Sequence, residues 1–231
     1  MRLYIIRHAD PDYANDTITP QGELEAAALA TRLAAMGIDE LYCSPKGRAR
    51  ATAAYAAEAL GLEPVVLEWT RELHDFNLLD RPSMALNVHG HVVRQRPYLD
   101  NLADPSPIAG LPLARMAEVE AEIAAASDAF LGAHGYVRED GIYRVVARSE
   151  AQVAVVCHAG FGLTWLAHLL AIPEPLVWIG FHMHPTSVTT VLFDERVEGI
   201  ATPRCLAVGD VGHLYAARLE PSVMGIIANR A

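Results

Sequence analysis

Residues 3–6, Leu3-Tyr4-Ile5-Ile6, followed at once by Arg7-His8, decide how the rest of the chain is read. An unbroken apolar run between Arg2 and Arg7 is what a central parallel strand needs, because each side chain meets protein whichever face it points to. A second run of that kind, Val153-Ala154-Val155-Val156-Cys157, also ends in a histidine, His158, and leads into Ala159-Gly160. Two buried strands that each deliver a histidine at the carboxyl end suggest an open α/β sheet with its site in the crevice there.

The intervening sequence supplies the helices. Thr19 is placed to cap a helix with Pro20 in its first turn, running through ELEAAALATRLAAM to Gly37. Position 22 is Gly rather than Glu, so the full capping box is absent. Glu40 to Ser44 reads as a second strand, Arg48 to Leu60 as a helix closed by Gly61, and Pro64 to Trp69 as a third strand. The stretch 73–113, Pro-rich and without a clear period, reads as an insertion or lid within one domain spanning 1–231. A long amphipathic helix follows near Arg115 to Leu131, then the strand at Val153 and a helix through Leu170. Thr186 to Phe193 and Arg204 to Val208 read as further strands. The fold class expected is α/β, a three-layer sandwich with a mainly parallel central sheet and helices on both faces.

Composition narrows the partners. The chain of 231 residues is 52% hydrophobic and 20% charged, enough apolar material for a sizeable core and too much for a disordered chain. With 28 acidic residues against 18 basic ones the formal charge is −10, which disfavours nucleic acid or an anionic membrane as partner. Lys46 is the single lysine, so any anion site here is built from arginine. Cys43, Cys157 and Cys205 have no CxxC spacing and read as reduced thiols of a cytoplasmic protein. The apolar run at the start is too short for a signal-peptide core. The stretch 151–181 is nearly uncharged but holds Gly160, Gly162, Pro173 and Pro175, which suits a buried strand and helix better than a membrane span.

Three elements carry chemistry. Arg7-His8 places a cation and a nucleophile or base at a strand end. In SPKGRARATA, residues 44–53, Arg48 and Thr52 share a helix face, Arg50 points away, and Arg48 lies where free N–H groups favour anions. In VVCHAGFG, residues 155–162, small residues beyond His158 let backbone approach a ligand. Two histidines and two arginines converging on one crevice suit a tetrahedral dianion.

These motifs resemble the histidine phosphatase superfamily, of phosphoglycerate mutase-like fold. The matching positions are Arg7-His8, Thr19 and Gly22, Ser44-Pro45, Arg48-Ala49, Thr52-Ala53, Arg71-Glu72-Leu73, Phe76 and Val156…His158-Ala159-Gly160, with a weaker echo at His213-Leu214. Carried over position by position, the resemblance implies His8 as nucleophile, Arg7, Arg48 and His158 as a clamp on phosphate oxygens, and Glu72 as general acid and base. It implies substrate contacts from Asn15, Thr19 and Ala159, although Asn15 stands one residue further from His8 than in the commonest pattern. Ala9 replaces the family's usual Gly. The implied activity is hydrolysis of a small phosphate monoester through a phosphohistidine. Cofactor and metal are absent from that scheme, the partner is a small phosphorylated metabolite, and a homodimer is compatible with it.

Other readings stand beside this one. A cofactor-dependent phosphoglycerate mutase would return the phosphoryl group to substrate, but the region after Glu72 offers only Arg81, Arg94 and Arg96 as further cations. A non-catalytic phosphate-ester-binding protein would keep the pocket without turnover. Glu68 and Asp75 compete with Glu72 for the acid role. His89/His91 and His182/His184 have the spacing of metal ligands but no acidic partner at ligand spacing, and read as surface or pocket histidines.

Overall fold

Strand β1 (Arg2–Arg7) is buried at every residue after its first, and its alternating side chains feed two separate cores. Leu3 and Ile5 join Val153, Val155, Phe161 and Trp165 on one face, while Tyr4 and Ile6 join Leu29, Leu33, Ala49 and Ala53 on the other. That is the physical reason for the unbroken apolar run. The structure, a computed structural model, describes residues 1–73, 76–80 and 83–226.

A short ribbon of β2 (Pro11–Asp12) and β3 (Thr17–Ile18) leads into α1 (Pro20–Met36). The Thr19 hydroxyl accepts the Gly22 N–H at 3.0 Å, and Gly37 ends the helix at a φ of 70°. Gly22 has its own cause: a Cβ there would sit 2.5 Å from the Asp10 carbonyl oxygen, so the acidic residue of a capping box cannot be accommodated. Thr19→Ala is expected to lower stability by about 1 kcal/mol, readable as a shift in the urea midpoint at unchanged m-value. An unchanged midpoint would show that the cap carries no weight.

The chain continues through β4 (Glu40–Cys43), α2 (Gly47–Leu60) and β5 (Val65–Val66). The third strand is shorter than its sequence suggests. Only Val65 and Val66 pair, against Tyr42 and Cys43, after which Glu68–Thr70 turns as a single 3-10 turn. The turn is fastened by the Thr70 hydroxyl donating to the Leu67 carbonyl at 2.8 Å. It swings Trp69 inward, to ring distances of 5.4 Å from Phe161 and 5.1 Å from Trp165. Burial of one large ring has outweighed continuation of the edge strand.

Among the described residues, the Pro-rich stretch holds only one-turn helices, α3 (Gly90–Val93) and α4 (Arg96–Leu99), besides a 3-10 turn at Ala85–Asn87. Its Phe76, Val88, Val93, Tyr98 and Leu111 are nevertheless buried in the larger core. Beyond it come α5 (Leu113–Ala133), the hairpin β6 (Tyr136–Glu139) and β7 (Ile142–Val145), β8 (Gln152–Cys157), α6 (Ala159–Leu170) and α7 (Glu174–Gly180). The described chain closes with β9 (Val188–Val197), β10 (Ile200–Asp210) and α8 (Gly212–Ala216).

The class is α/β with a large central sheet, as expected. Its eight strands run β5-β4-β8-β1-β9-β10-β7-β6. The half from β5 to β1 is parallel, and everything beyond β1 is antiparallel. β9 and β10 run on past the two short strands expected, forming a ribbon turned at Gly199 with bulges along β10. The parallel half positions the site, because β4, β8 and β1 are neighbours and end side by side.

Candidate active site

Arg7 and His8 emerge where β1 ends, His158 where β8 ends, and Ser44 where β4 ends, with Arg48 in the first turn of α2. All are nearly removed from solvent: His158 and Ser44 are 0% exposed, His8 1%, Arg7 3% and Arg48 5%. Buried charge and buried imidazole must be satisfied by partners.

His8 is held at both nitrogens. Its Nδ1 lies 2.7 Å from the Ala9 carbonyl oxygen, a partner that can only accept, so Nδ1 carries the proton. The Arg48 Nε–H donates to Nε2 at 3.2 Å, which requires a lone pair there. Burial first, and then the Arg7 charge, push the imidazole pKa down to about 3. His8 is therefore a neutral base at neutral pH with Nε2 unprotonated, turned toward a guanidinium.

Arg48 is aimed from behind by Asp16. The Asp16 carboxylate accepts from Arg48 Nη1 at 2.7 Å and from the Gly47 N–H at 2.8 Å. Burial acts to raise the Asp16 pKa but is outweighed by these hydrogen bonds, so the group stays ionised. Gly47 is required by this contact, since a Cβ there would lie 2.0 Å from the Asp16 carbonyl oxygen. The Tyr13 ring lies 5.4 Å from the Arg48 guanidinium carbon. On the opposite side, Arg7 Nη1 donates to the carbonyls of Met183 at 2.7 Å and Met224 at 3.0 Å. His158 Nε2 is 2.8 Å from the Ser44 hydroxyl, and its ring stands edge-on to His8 at 5.1 Å. The Thr52 hydroxyl accepts the Ala9 N–H at 2.9 Å, which fixes the turn after His8.

Glu72 sits at the amino end of α6. Its carboxylate accepts from the N–H groups of Phe161 at 3.0 Å and Leu73 at 3.1 Å, a position that favours negative charge. A Cβ on residue 160 would come within 2.8 Å of the Glu72 Oε1 and 2.7 Å of Leu86, which accounts for Gly160. Arg7, Glu72 and Ala159 line a cavity of about 640 Å³, and the rest of its wall includes Leu86, Leu163, Trp178, Ile179 and Phe181.

Arg7, His8, Arg48 and His158 thus form one cluster, with Glu72 and Ala159 on the cavity beside it. Asn15 and Thr19 do not join them. Asn15 is exposed and donates to Asp12 at 2.7 Å, while the Thr19 hydroxyl is committed to the Gly22 N–H and to Asp10. Arg50 is exposed, as its helix phase requires. Arg94 and Arg96 are exposed and absent from the cavity wall. Glu68 is 66% exposed and paired with Arg71. Asp75 and Arg81 lie outside the described residues. His213 is buried against Thr186 and Arg32, and His89 and His182 reach the cavity wall. Among the described residues, no three His, Cys, Asp or Glu side chains converge as metal ligands, and no helix is long and apolar enough to cross a membrane. The partners missed from sequence are Asp16 and Ser44. Ser44 stood inside the quoted SPKGRARATA motif, whereas Asp16 gave no signal beyond its place in a polar loop.

The fold is that of an α/β protein whose parallel strand ends bring two imidazoles and two guanidinium groups together. Residues 3–95 match the model of the histidine phosphatase superfamily (branch 1). A Hydrogenobacter thermophilus protein named provisionally as phosphoserine phosphatase 2 is 35% identical over 81 residues, 31% of this chain and 40% of that protein. A Serratia proteamaculans protein named provisionally as a phosphoglycerate mutase is 31% identical over 83 residues, 32% of this chain and 39% of that protein. The chain therefore matches about two fifths of the length of these curated relatives. The whole fold resembles Entamoeba histolytica phosphoserine phosphatase, solved with 3-phosphoglyceric acid. The TM-score is 0.64 at 18% identity, covering 92% of this chain and 98% of that one.

Proposed function

We propose that this chain is a phosphomonoesterase that hydrolyses a small phosphate monoester through a phosphohistidine on His8. The observation that carries the reading is the state of His8: buried, neutral and proton-bearing at Nδ1, with its Nε2 lone pair beside Arg48. In the first step Nε2 attacks phosphorus and the bond to the ester oxygen breaks. Arg7, Arg48 and His158 hold the nonbridging oxygens, over which the charge spreads. Glu72 protonates the departing oxygen, then takes a proton from the water that attacks phospho-His8 and releases inorganic phosphate. Apolar side chains on the cavity wall suit an ester whose alcohol part is small and carries few charges.

A mutase is the second reading, favoured by the Serratia relative. It must hold a bisphosphorylated intermediate, which calls for further cations at the cavity. Arg94 and Arg96 face solvent, so hydrolysis is the better fit. With 3-phosphoglycerate as substrate, with and without bisphosphoglycerate, free phosphate should appear and 2-phosphoglycerate should not. Isomer formation outpacing phosphate release would replace hydrolase by mutase.

Fixed guanidinium charge does here what a divalent ion does in other phosphoryl-transfer sites. EDTA is therefore expected to leave turnover unchanged. Loss of activity on chelation, restored by one divalent ion, would overturn this and bring the histidine pairs back into consideration.

A further inference from the structure

A second cavity, of about 610 Å³, is bounded by α4, α5, α6 and α7 and shares no lining residue with the cavity at Arg7 and Glu72. Its wall is largely apolar, with Leu102, Met116, Ile123 and Ile172 among its residues. Two buried polar side chains stand in that wall: Tyr98, 1% exposed, whose hydroxyl has no hydrogen-bond partner among the described residues, and Glu174, 5% exposed, whose carboxyl faces only the Glu120 carboxyl and the Thr164 hydroxyl. A buried phenol ordinarily has a partner, and two carboxyl groups packed together away from water ordinarily have a cation, so leaving the phenol bare and the pair without a cation is costly.

The wall also selects what could complete them. Glu120 of α5 lines the same space and adds a second carboxyl facing Glu174. Burial, with the Glu120 carboxyl adding to it, pushes Glu174 up to about 9, as expected for a carboxyl with no cation beside it. His168, the basic residue on the wall, is turned to Asp128 at 3.0 Å and its pKa is lowered by burial, so it supplies no positive charge. An anion would meet two carboxyl groups. A primary ammonium ion supplies three N–H donors and one positive charge, enough to serve both carboxylates and the phenol oxygen. Its carbon body would lie on Leu102, Met116 and Ile172.

We propose that this cavity is a binding site for a small apolar primary ammonium ion, with the ammonium held by Glu174, Glu120 and Tyr98. Glu174 gives its proton to solvent when the cation binds. The site is separate from phosphate chemistry but adjoins it: the Trp178 indole, on the first cavity's wall, donates to the Thr164 hydroxyl, on the second's, at 3.2 Å.

Titration calorimetry of the full chain with 2-phenylethylammonium chloride, and with 2-phenylethanol as its neutral counterpart, tests the site. Orthovanadate added to both keeps the phosphate site filled. One amine per chain should bind, and the alcohol should bind about tenfold more weakly or worse, as loss of a charge-assisted pair implies. Glu174→Gln keeps the shape and removes the charge, and should weaken the amine by about tenfold or more. Ala121→Trp, at an exposed position of α5 on the cavity wall, fills the space without touching the core and should abolish binding even if Glu174→Gln proves unstable. Equal affinity of amine and alcohol, equal affinity of the wild type and Ala121→Trp, or no amine binding at about 10 mM, a bound set by ordinary weak-ligand affinities, overturns the proposal.

Discussion

Phosphate release by His8→Ala should fall by at least about a thousandfold, because the variant lacks the atom that receives phosphorus and with it the division of one hard step into two. Acid-sensitive labelling of the protein by radioactive substrate should vanish in the same variant. The replacement leaves the two arginines in place, so binding of inorganic phosphate or vanadate should survive. His8 is also a buried side chain bonded to Ala9 and Arg48. Thermal unfolding of the variant must therefore be shown intact before lost turnover is read as lost chemistry. Activity of a folded His8→Ala protein within about tenfold of the wild type would eliminate the covalent route, since a nucleophile is worth far more than that.

Glu72→Gln should divide substrates by their leaving groups. Alkyl phosphates depart as strongly basic alkoxides, and loss of the proton donor should slow their cleavage by about 10²–10⁴-fold. para-Nitrophenyl phosphate departs as a weakly basic phenolate, so its phosphorylation of His8 should be nearly normal and appear as a burst. The following steady state should still be slow, because water would lack its base. Glutamine preserves a carbonyl oxygen for the N–H groups of Leu73 and Phe161, so the start of α6 should stay folded. Rapid-quench measurement of the first step with both esters checks this. Equal losses would return Glu72 to the status of a helix-terminal charge. Glu68 would then be a poor successor, being 66% exposed and already paired with Arg71.

The parts of this molecule that were legible in the sequence are those fixed by burial on two faces or by a local cap. β1 and β8 declared themselves because each is apolar at every step, and α1 because Thr19, Pro20 and Gly37 punctuate it. Arg48 was separable from Arg50 by helix phase alone. What escaped depended on long-range packing. Leu67 to Trp69 looks like a strand locally, and only the rings of Phe161 and Trp165 explain the turn. The antiparallel half of the sheet was underestimated because β9 and β10 carry charged residues on exposed faces. The β6–β7 hairpin went unread although Asp140-Gly141 marks its turn. Asn15 and Thr19 show the limit of reasoning by motif, since a residue type at a matching position can be occupied with holding the loop or the helix instead.

The pairing of β1 with β8 aligns Arg2 with Gln152 and Arg7 with Cys157, across about 150 residues of chain. During synthesis β1 leaves the ribosome long before either of its sheet neighbours exists, and at roughly 5–20 residues per second the wait is on the order of ten to thirty seconds. Through that interval Leu3 and Ile5 lack Val153, Val155, Phe161 and Trp165, which cover their side of the strand in the finished fold. Closure of so distant a contact is slow and leaves an exposed apolar segment that other chains can capture. His8 meets His158 only when this closure occurs, so catalytic competence should be among the last properties the nascent protein acquires. Recovery of activity during refolding should then lag behind recovery of helical signal, and a holdase that shields the β1 segment should raise the yield of active protein more than it raises the rate.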